Sequence, residues 1–226
     1  MTQAENTRDR ALLERDFAAV IFDMDGTLID STPAVVRSWT IWAGELGIPL
    51  QRLQEFHGVP AEATVAELLP PELRQSALDR INELELTDLE GVRPLPGAGE
   101  AFRTLPADRV AIATSCTAPL AAARLAASGL ARPAVLVTVD DVARGKPAPD
   151  PYLKAAELLG RRPQDCLVVE DAPKGLRSAQ GAGCATLAVV TTSPREALNA
   201  DLIIDDLSQV LWVADPATGR IRVKPV

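Results

Sequence analysis

Six short runs of consecutive apolar, largely β-branched residues limit what this chain can fold into: residues 19–22, 110–113, 134–137, 166–169, 186–190 and 202–204. None of them alternates apolar with polar residues. A strand with one wet face alternates, whereas a strand covered on both faces reads as an unbroken apolar run. Between the runs lie Ala- and Leu-rich stretches with helical spacing, at 119–128, 150–159 and 173–181. Each carries Pro in its first turn, and Gly129, Gly160 and Gly181 are the expected terminators. Strand, helix, strand at this spacing predicts an α/β protein. The sheet is Rossmann-like and mostly parallel, inside a three-layer α/β/α core with right-handed crossovers.

One segment departs from the rhythm. From Ser31 to Arg93 there is no strand run, and helical patterns occupy 33–46, 50–56, 61–68 and 72–86. A structureless connection of roughly 60 residues would be anomalous in a compact domain. The expectation is a four-helix cap inserted after the first strand. Residues 1–29 and 94–226 then form the α/β core, and 30–93 the cap over the carboxyl ends of the strands, where open α/β sheets place ligands. The linkers near 30–32 and 93–97 are the expected hinges, and the tail is expected to add a peripheral strand at 219–223.

The composition is globular, with 47% hydrophobic residues and a formal charge of −8. Such a charge argues against nucleic acid as a partner, because a polymer footprint needs concentrated Lys and Arg. It leaves room for a small anion, since a local cation can reverse the field in a cleft. No window approaches the ~18 consecutive apolar residues of a membrane span, and the N-terminal stretch lacks an apolar signal core. No membrane partner, a cytoplasmic location and a monomer are the default expectations. Cys116, Cys166 and Cys184 show no metal-binding spacing and read as reduced, buried hydrophobes.

The chemistry gathers where the runs end. The first leads into Phe22-Asp23-Met24-Asp25-Gly26-Thr27-Leu28. Two carboxylates this close to a buried strand are costly unless a cation or several donors meet them. A hard divalent ion such as Mg²⁺ suits a carboxylate and a neighbouring carbonyl; an Asp-rich turn capping a helix would be the plainer explanation. The second run ends in Thr114 and Ser115, hydroxyls feeding a helix N-terminus, a natural seat for an oxyanion. Lys146 stands between Gly145 and Pro147, and the 166–169 run ends in Glu170-Asp171. All four sites fall at carboxyl ends of predicted parallel strands and converge on one crevice. Carboxylates, a lysine and hydroxyls are what metal-assisted phosphoryl transfer requires.

In this order and context the four motifs resemble those of the haloacid dehalogenase superfamily of phosphatases, over residues 17–206. The insert is similar to the small helical cap of the beta-phosphoglucomutase-like branch. The run from Phe22 to Thr32, with His57-Gly58, resembles the 2-deoxyglucose-6-phosphate, glycerol-phosphate and sugar phosphatases. The resemblance implies a phosphoric monoester hydrolase acting on a small phosphorylated sugar or polyol. It makes Asp23 the nucleophile that becomes an aspartyl-phosphate, and Asp25 the acid and then the base. Thr114, or Ser115, donates to the phosphoryl group, and Lys146 neutralises its charge. Mg²⁺ falls to Asp23, the Asp25 carbonyl and Asp171, with Glu170 either a ligand or a partner behind the ligands. Glu170 could instead cap the following helix, and the Lys146–Pro147 bond is a candidate cis peptide.

The cap is less readable. His57 is the only histidine, either a substrate contact or a hinge residue. The residues after Gly58 are Val59-Pro60-Ala61, without the Arg that often follows in the resembling phosphatases and mutases. That counts against a sugar-phosphate mutase, which needs a second anion grip; Arg37, Arg52, Arg74 and Arg93 are the possible substitutes. The motifs are also compatible with a phosphoglycolate or nucleotide phosphatase, and less readily with a non-catalytic binding protein on the same scaffold. Trp39 and Trp42 share a helix face, as packing or as a sugar-stacking wall.

Overall fold

In the computed structural model, which describes residues 10–56 and 60–226, every unbroken apolar run is a strand. The first is β1 (Ala19–Phe22). The chain then forms the two-residue strand β2 (Ile29–Asp30), passes through a helical segment and returns as β3 (Arg93–Pro94), antiparallel to β2. The other runs become β4 (Val110–Ala113), β5 (Val135–Val137), β6 (Cys166–Glu170), β7 (Ala185–Val189) and β8 (Leu202–Ile204). Six strands form one sheet in the order β5-β4-β1-β6-β7-β8, and every pairing in it is parallel. Both faces are covered, as the lack of alternation required. Val20, Phe22, Ile112 and Val169 enter one apolar cluster, while Ala19, Ile21, Ala111 and Val168 enter another with Tyr152.

Between β2 and β3 lie helices α1 (Thr32–Glu45), α2 (Ala61–Leu68) and α3 (Pro71–Thr87). The fourth expected helix is a 3₁₀ segment, Leu50–Phe56, rather than an α-helix. Short helical pieces used as connectors readily adopt this tighter hydrogen bonding. The segment has its own apolar cluster around Trp42, Val65, Ile81 and Leu84. Trp42 is fully buried and its Nε1 donates to Ala77 O at 2.8 Å. Trp39 meets it edge-on, with ring centroids 5.1 Å apart. The tryptophan pair therefore packs the helices together.

After β3 come α4 (Ala98–Thr104), α5 (Ala118–Ser128), α6 (Asp150–Leu158) and α7 (Pro173–Gly181). Gly129 ends α5 in the left-handed region with φ +73, as expected. For α7 the terminator is not Gly181 but Gly183, at φ +82, because Ala182 still holds helical angles. The tail differs more. In place of one peripheral strand it forms a hairpin of β9 (Val210–Ala214) and β10 (Ile221–Pro225). Residues 210–214 are all apolar, so the alternation of buried Val210 and Trp212 with exposed Leu211 and Val213 is invisible in the sequence.

Candidate active site

Strand β1 lies between β4 and β6, so the loops leaving these three strands open on one edge of the sheet. The loop after β1 is closed by its own backbone. Leu28 and Ile29 N–H donate to Met24 O at 2.9 and 3.0 Å, and Gly26 N–H donates to Ile29 O at 2.8 Å. Gly26 sits at φ +82, and a Cβ there would stand 2.4 Å from Asp171 Oδ2. Only glycine permits both the turn and that approach.

Asp23 is buried at the end of β1, where Lys146 Nζ donates to its Oδ1 at 2.5 Å. The same ammonium donates to Glu170 Oε1 at 2.7 Å. Lys146 is held by the loop before α6, and its bond to Pro147 is cis. Glu170 closes β6 and is almost wholly occupied. Tyr152 O–H donates to Oε1 at 2.7 Å, while the N–H groups of Asp171 and Ala172 donate to Oε2 at 3.0 and 3.1 Å. Gly175, in the first turns of α7, makes space for this carboxylate; a Cβ there would fall 1.6 Å from Oε1. Asp171 accepts from Thr27 Oγ1 at 3.1 Å and from the Thr192 hydroxyl.

Asp23, Glu170 and Asp171 each offer an oxygen within 4.8 Å of the others. Burial raises Asp23 well above the usual carboxylate range, opposed by Lys146 and reinforced by Glu170 and Asp171. Asp171 is pushed up to about 7 by burial and then by the Glu170 charge. Burial pulls the Lys146 ammonium down, but the facing charges of Asp23 and Glu170 more than reverse this and it stays charged. One ammonium against three buried carboxylates leaves the cluster short of positive charge. An all-oxygen donor set with that deficit fits a small hard divalent cation.

Thr114 is buried after β4, where its Oγ1 accepts from Cys116 N–H at 3.1 Å, which leaves its O–H to donate elsewhere. Ser115 is half-buried in the adjoining bend. Asp25 Oδ1 accepts from Ser31 Oγ at 2.6 Å and from Arg124 Nη1 at 3.0 Å, and its Oδ2 accepts from Cys116 Sγ at 3.0 Å. All three cysteines are free and buried, and burial with the Asp25 charge holds the Cys116 thiol well above its usual range. His57 lies outside the described residues.

Three of the four arginines considered as substitute anion grips are engaged elsewhere. Arg37 forms a fork with Asp88, both contacts at 2.7 Å, Arg93 pairs with Asp30 at 3.1 Å, and Arg74 Nε donates to Leu69 O at 2.9 Å. Arg52 is exposed. The cation that does reach the site, Arg124, was not anticipated, nor was Glu85 on α3, its second partner at 3.1 Å. A signal existed in the helix patterns. Arg124 falls on the buried face of α5 with Leu120, Ala121 and Leu125, and Glu85 on that of α3 with Ala77, Ile81 and Leu84. Lone opposite charges on the apolar faces of two helices are costly unless they meet. Tyr152 and Gly175 carried no comparable signal.

Known proteins resemble this chain in sequence, and one solved structure resembles it in fold. Hexitol phosphatase A of Escherichia coli (strain K12) is 40% identical over 203 residues, which cover 87% of this chain and 94% of that protein. Glycerol-1-phosphate phosphohydrolase 2 of Saccharomyces cerevisiae is 32% identical, covering 77% of this chain and 75% of its own. The crystal structure of a hydrolase from Pseudomonas syringae superimposes with a TM-score of 0.75 at 27% identity, over 84% of this chain and 94% of that one. The haloacid dehalogenase-like hydrolase family model matches residues 17–183, from the start of the sheet to the end of α7, and the chain belongs to that family.

Proposed function

We propose that this hydrolase is a Mg²⁺-dependent phosphomonoesterase for a small phosphorylated sugar or polyol, working through an aspartyl-phosphate on Asp23. The observation that carries the proposal is the Lys146 ammonium lodged between Asp23 and Glu170, beside a buried acidic cluster still short of positive charge. Asp23, Asp171 and the Asp25 carbonyl hold the ion, which when bound supplies positive charge against the phosphoryl oxygens. Glu170 already accepts four hydrogen bonds, and its part is to hold Lys146 in place.

An Asp23 oxygen attacks phosphorus and the bond to the leaving alcohol breaks, while Asp25 gives its proton to that oxygen. Lys146 fixes the nucleophile and offsets charge on the equatorial phosphoryl oxygens, and Thr114 donates its O–H to one of them. Ser115 lies beside it at the same turn. Asp25 then takes a proton from the water that attacks the aspartyl-phosphate, releasing inorganic phosphate and restoring Asp23. Residues 30–93 act as the cap that excludes bulk water during these steps, turning on the β2–β3 pair.

The substrate class is supported by the activities of the two relatives, one a hexitol phosphatase and one a glycerol-1-phosphate phosphohydrolase. A mutase would need a second anion grip in the helical segment, and Arg37 and Arg93 are committed to Asp88 and Asp30. Among the described residues no helix is long and apolar enough to cross a membrane. The test is a phosphate-release screen over polyol, sugar, glycolate and nucleotide monophosphates, with and without Mg²⁺. Mg²⁺-dependent release favouring polyol or sugar phosphates is expected. Turnover independent of Mg²⁺, or confined to another class, would overturn the proposal.

A further inference from the structure

Among the described residues, Asp25 is tied to the helical segment in two places, directly by Ser31 Oγ at the hinge and, deeper in, by Arg124, whose side chain bonds both to Asp25 and to that segment. Its Nη1 donates to Asp25 Oδ1 at 3.0 Å and its Nη2 to Glu85 Oε1 at 3.1 Å. Both Arg124 and Glu85 are buried, with side-chain exposures of 5% and 9%. Arg124 comes from α5 on the core and Glu85 from α3 in the insert, and these two helices pack together. A buried guanidinium is expensive to desolvate, and this one keeps a buried Nε without a partner among the described residues. A site that needed only packing would put an apolar residue here at lower cost. Cys116 completes the arrangement, donating to Asp25 Oδ2 and accepting from Arg124 Nη1 at 3.2 Å.

We propose that Arg124 is a positioning residue that ties the orientation of Asp25 to the seating of the cap through Glu85. With the cap seated, Glu85 holds the guanidinium, and the guanidinium holds one oxygen of Asp25. The other oxygen is thereby directed for proton transfer to the leaving group. When the cap lifts, Glu85 leaves with α3 and Arg124 loses one of its two anchors. Asp25 then keeps Ser31, Cys116 and a guanidinium anchored at one end only, so its alignment is firmest when a substrate is enclosed. The inference rests on Asp25 being the acid and base of the reaction proposed above.

The experiment compares kcat/KM for glycerol phosphate with that for p-nitrophenyl phosphate, whose phenolate leaves without needing a proton. This ratio reports the step in which Asp25 protonates the leaving group. Arg124→Met is expected to lower the ratio at least about tenfold, within the range that general acid catalysis supplies. Arg124→Lys, which keeps the charge, should recover part of the loss. Glu85→Gln should lower the ratio less, and the Arg124→Met/Glu85→Gln double variant should be no worse than Arg124→Met alone, because both act through one link. Equal losses on the two substrates, or additive losses in the double variant, would overturn the proposal. If Arg124→Met does not fold, Arg124→Lys and Glu85→Gln give the same comparison. An Asp25→Asn control that lost both substrates equally would instead overturn the acid–base role beneath it.

Discussion

Replacing Gly175 by alanine tests the site at its tightest point. The added methyl would stand 1.6 Å from Glu170 Oε1 and 1.9 Å from its Cδ, well inside any contact distance. In an open helix the exchange would favour folding by about 0.8–1 kcal/mol, because glycine is a poor helix former. Here the sign reverses. Glu170 is buried and tied to Lys146, Tyr152 and two backbone N–H groups, so it cannot move aside without dropping some of them. Overpacking costs about 1–3 kcal/mol, and each hydrogen bond lost to a charged group about 1.5–3 kcal/mol. Net of the helix gain, and with one such bond lost, the variant is expected to be destabilised by roughly 1.5–5 kcal/mol, a fall in Tm of roughly 3–20 °C for a chain of this length. Displacing Glu170 also frees Lys146 from one of its two carboxylates, and kcat should fall about 10²-fold, the scale of losing one preorganised charge contact. Thermal denaturation followed by circular dichroism and phosphate release measure the two effects separately. A Gly175→Ala protein with an unchanged Tm and undiminished kcat would refute the placement of Glu170, and with it the explanation of how Lys146 is held.

Three further outcomes are expected. Lys146→Met should lower kcat about 10²–10³-fold in Mg²⁺ while the protein stays folded, and phosphate release within tenfold of the parent would contradict the role given to this ammonium. With Asp171 raised from 3.8 to about 7, the folded metal-free protein holds a proton that the unfolded chain releases near pH 4. The contribution from Asp171 is complete below about pH 4 and is lost as pH rises to about 7, so in EDTA the Tm of the parent should fall across that window relative to an Asp171→Asn variant, which cannot titrate there, and Mg²⁺ should stabilise the parent most at its upper end; a parent that gains on the variant as pH rises would oppose this. Trp42→Phe removes the bond to Ala77 O and leaves a small void, at a cost of about 1–2 kcal/mol by urea denaturation. Its kcat should stay within about threefold of the parent, and a larger change would mean that the pair of tryptophans does more than pack.

Much of this protein is written locally. The six strands were legible because burial on both faces leaves an uninterrupted apolar run, a property of three to five consecutive residues. The positions of Asp23, Thr114 and Asp171 followed from the same pattern, since a parallel sheet brings its strand ends to one edge, whereas Lys146 lies well past the end of β5 and reaches that edge from the loop before α6. Strand β9 escaped because five apolar residues in a row conceal which of them face water. The 3₁₀ segment escaped because periodicity over so few residues does not separate two kinds of helix.

What the sequence determined by itself was therefore the sheet, the insert and which chemical groups stand at the strand ends. Only the tertiary structure decided which groups meet. Lys146 and Asp23 are 123 residues apart, Arg124 and Asp25 99, and Arg124 and Glu85 39. Pairings over such distances depend on how helices pack on the sheet and on each other, and no local pattern encodes them. The need for Gly175 is of the same kind, because it arises from a carboxylate on another element that fills the space a side chain would take.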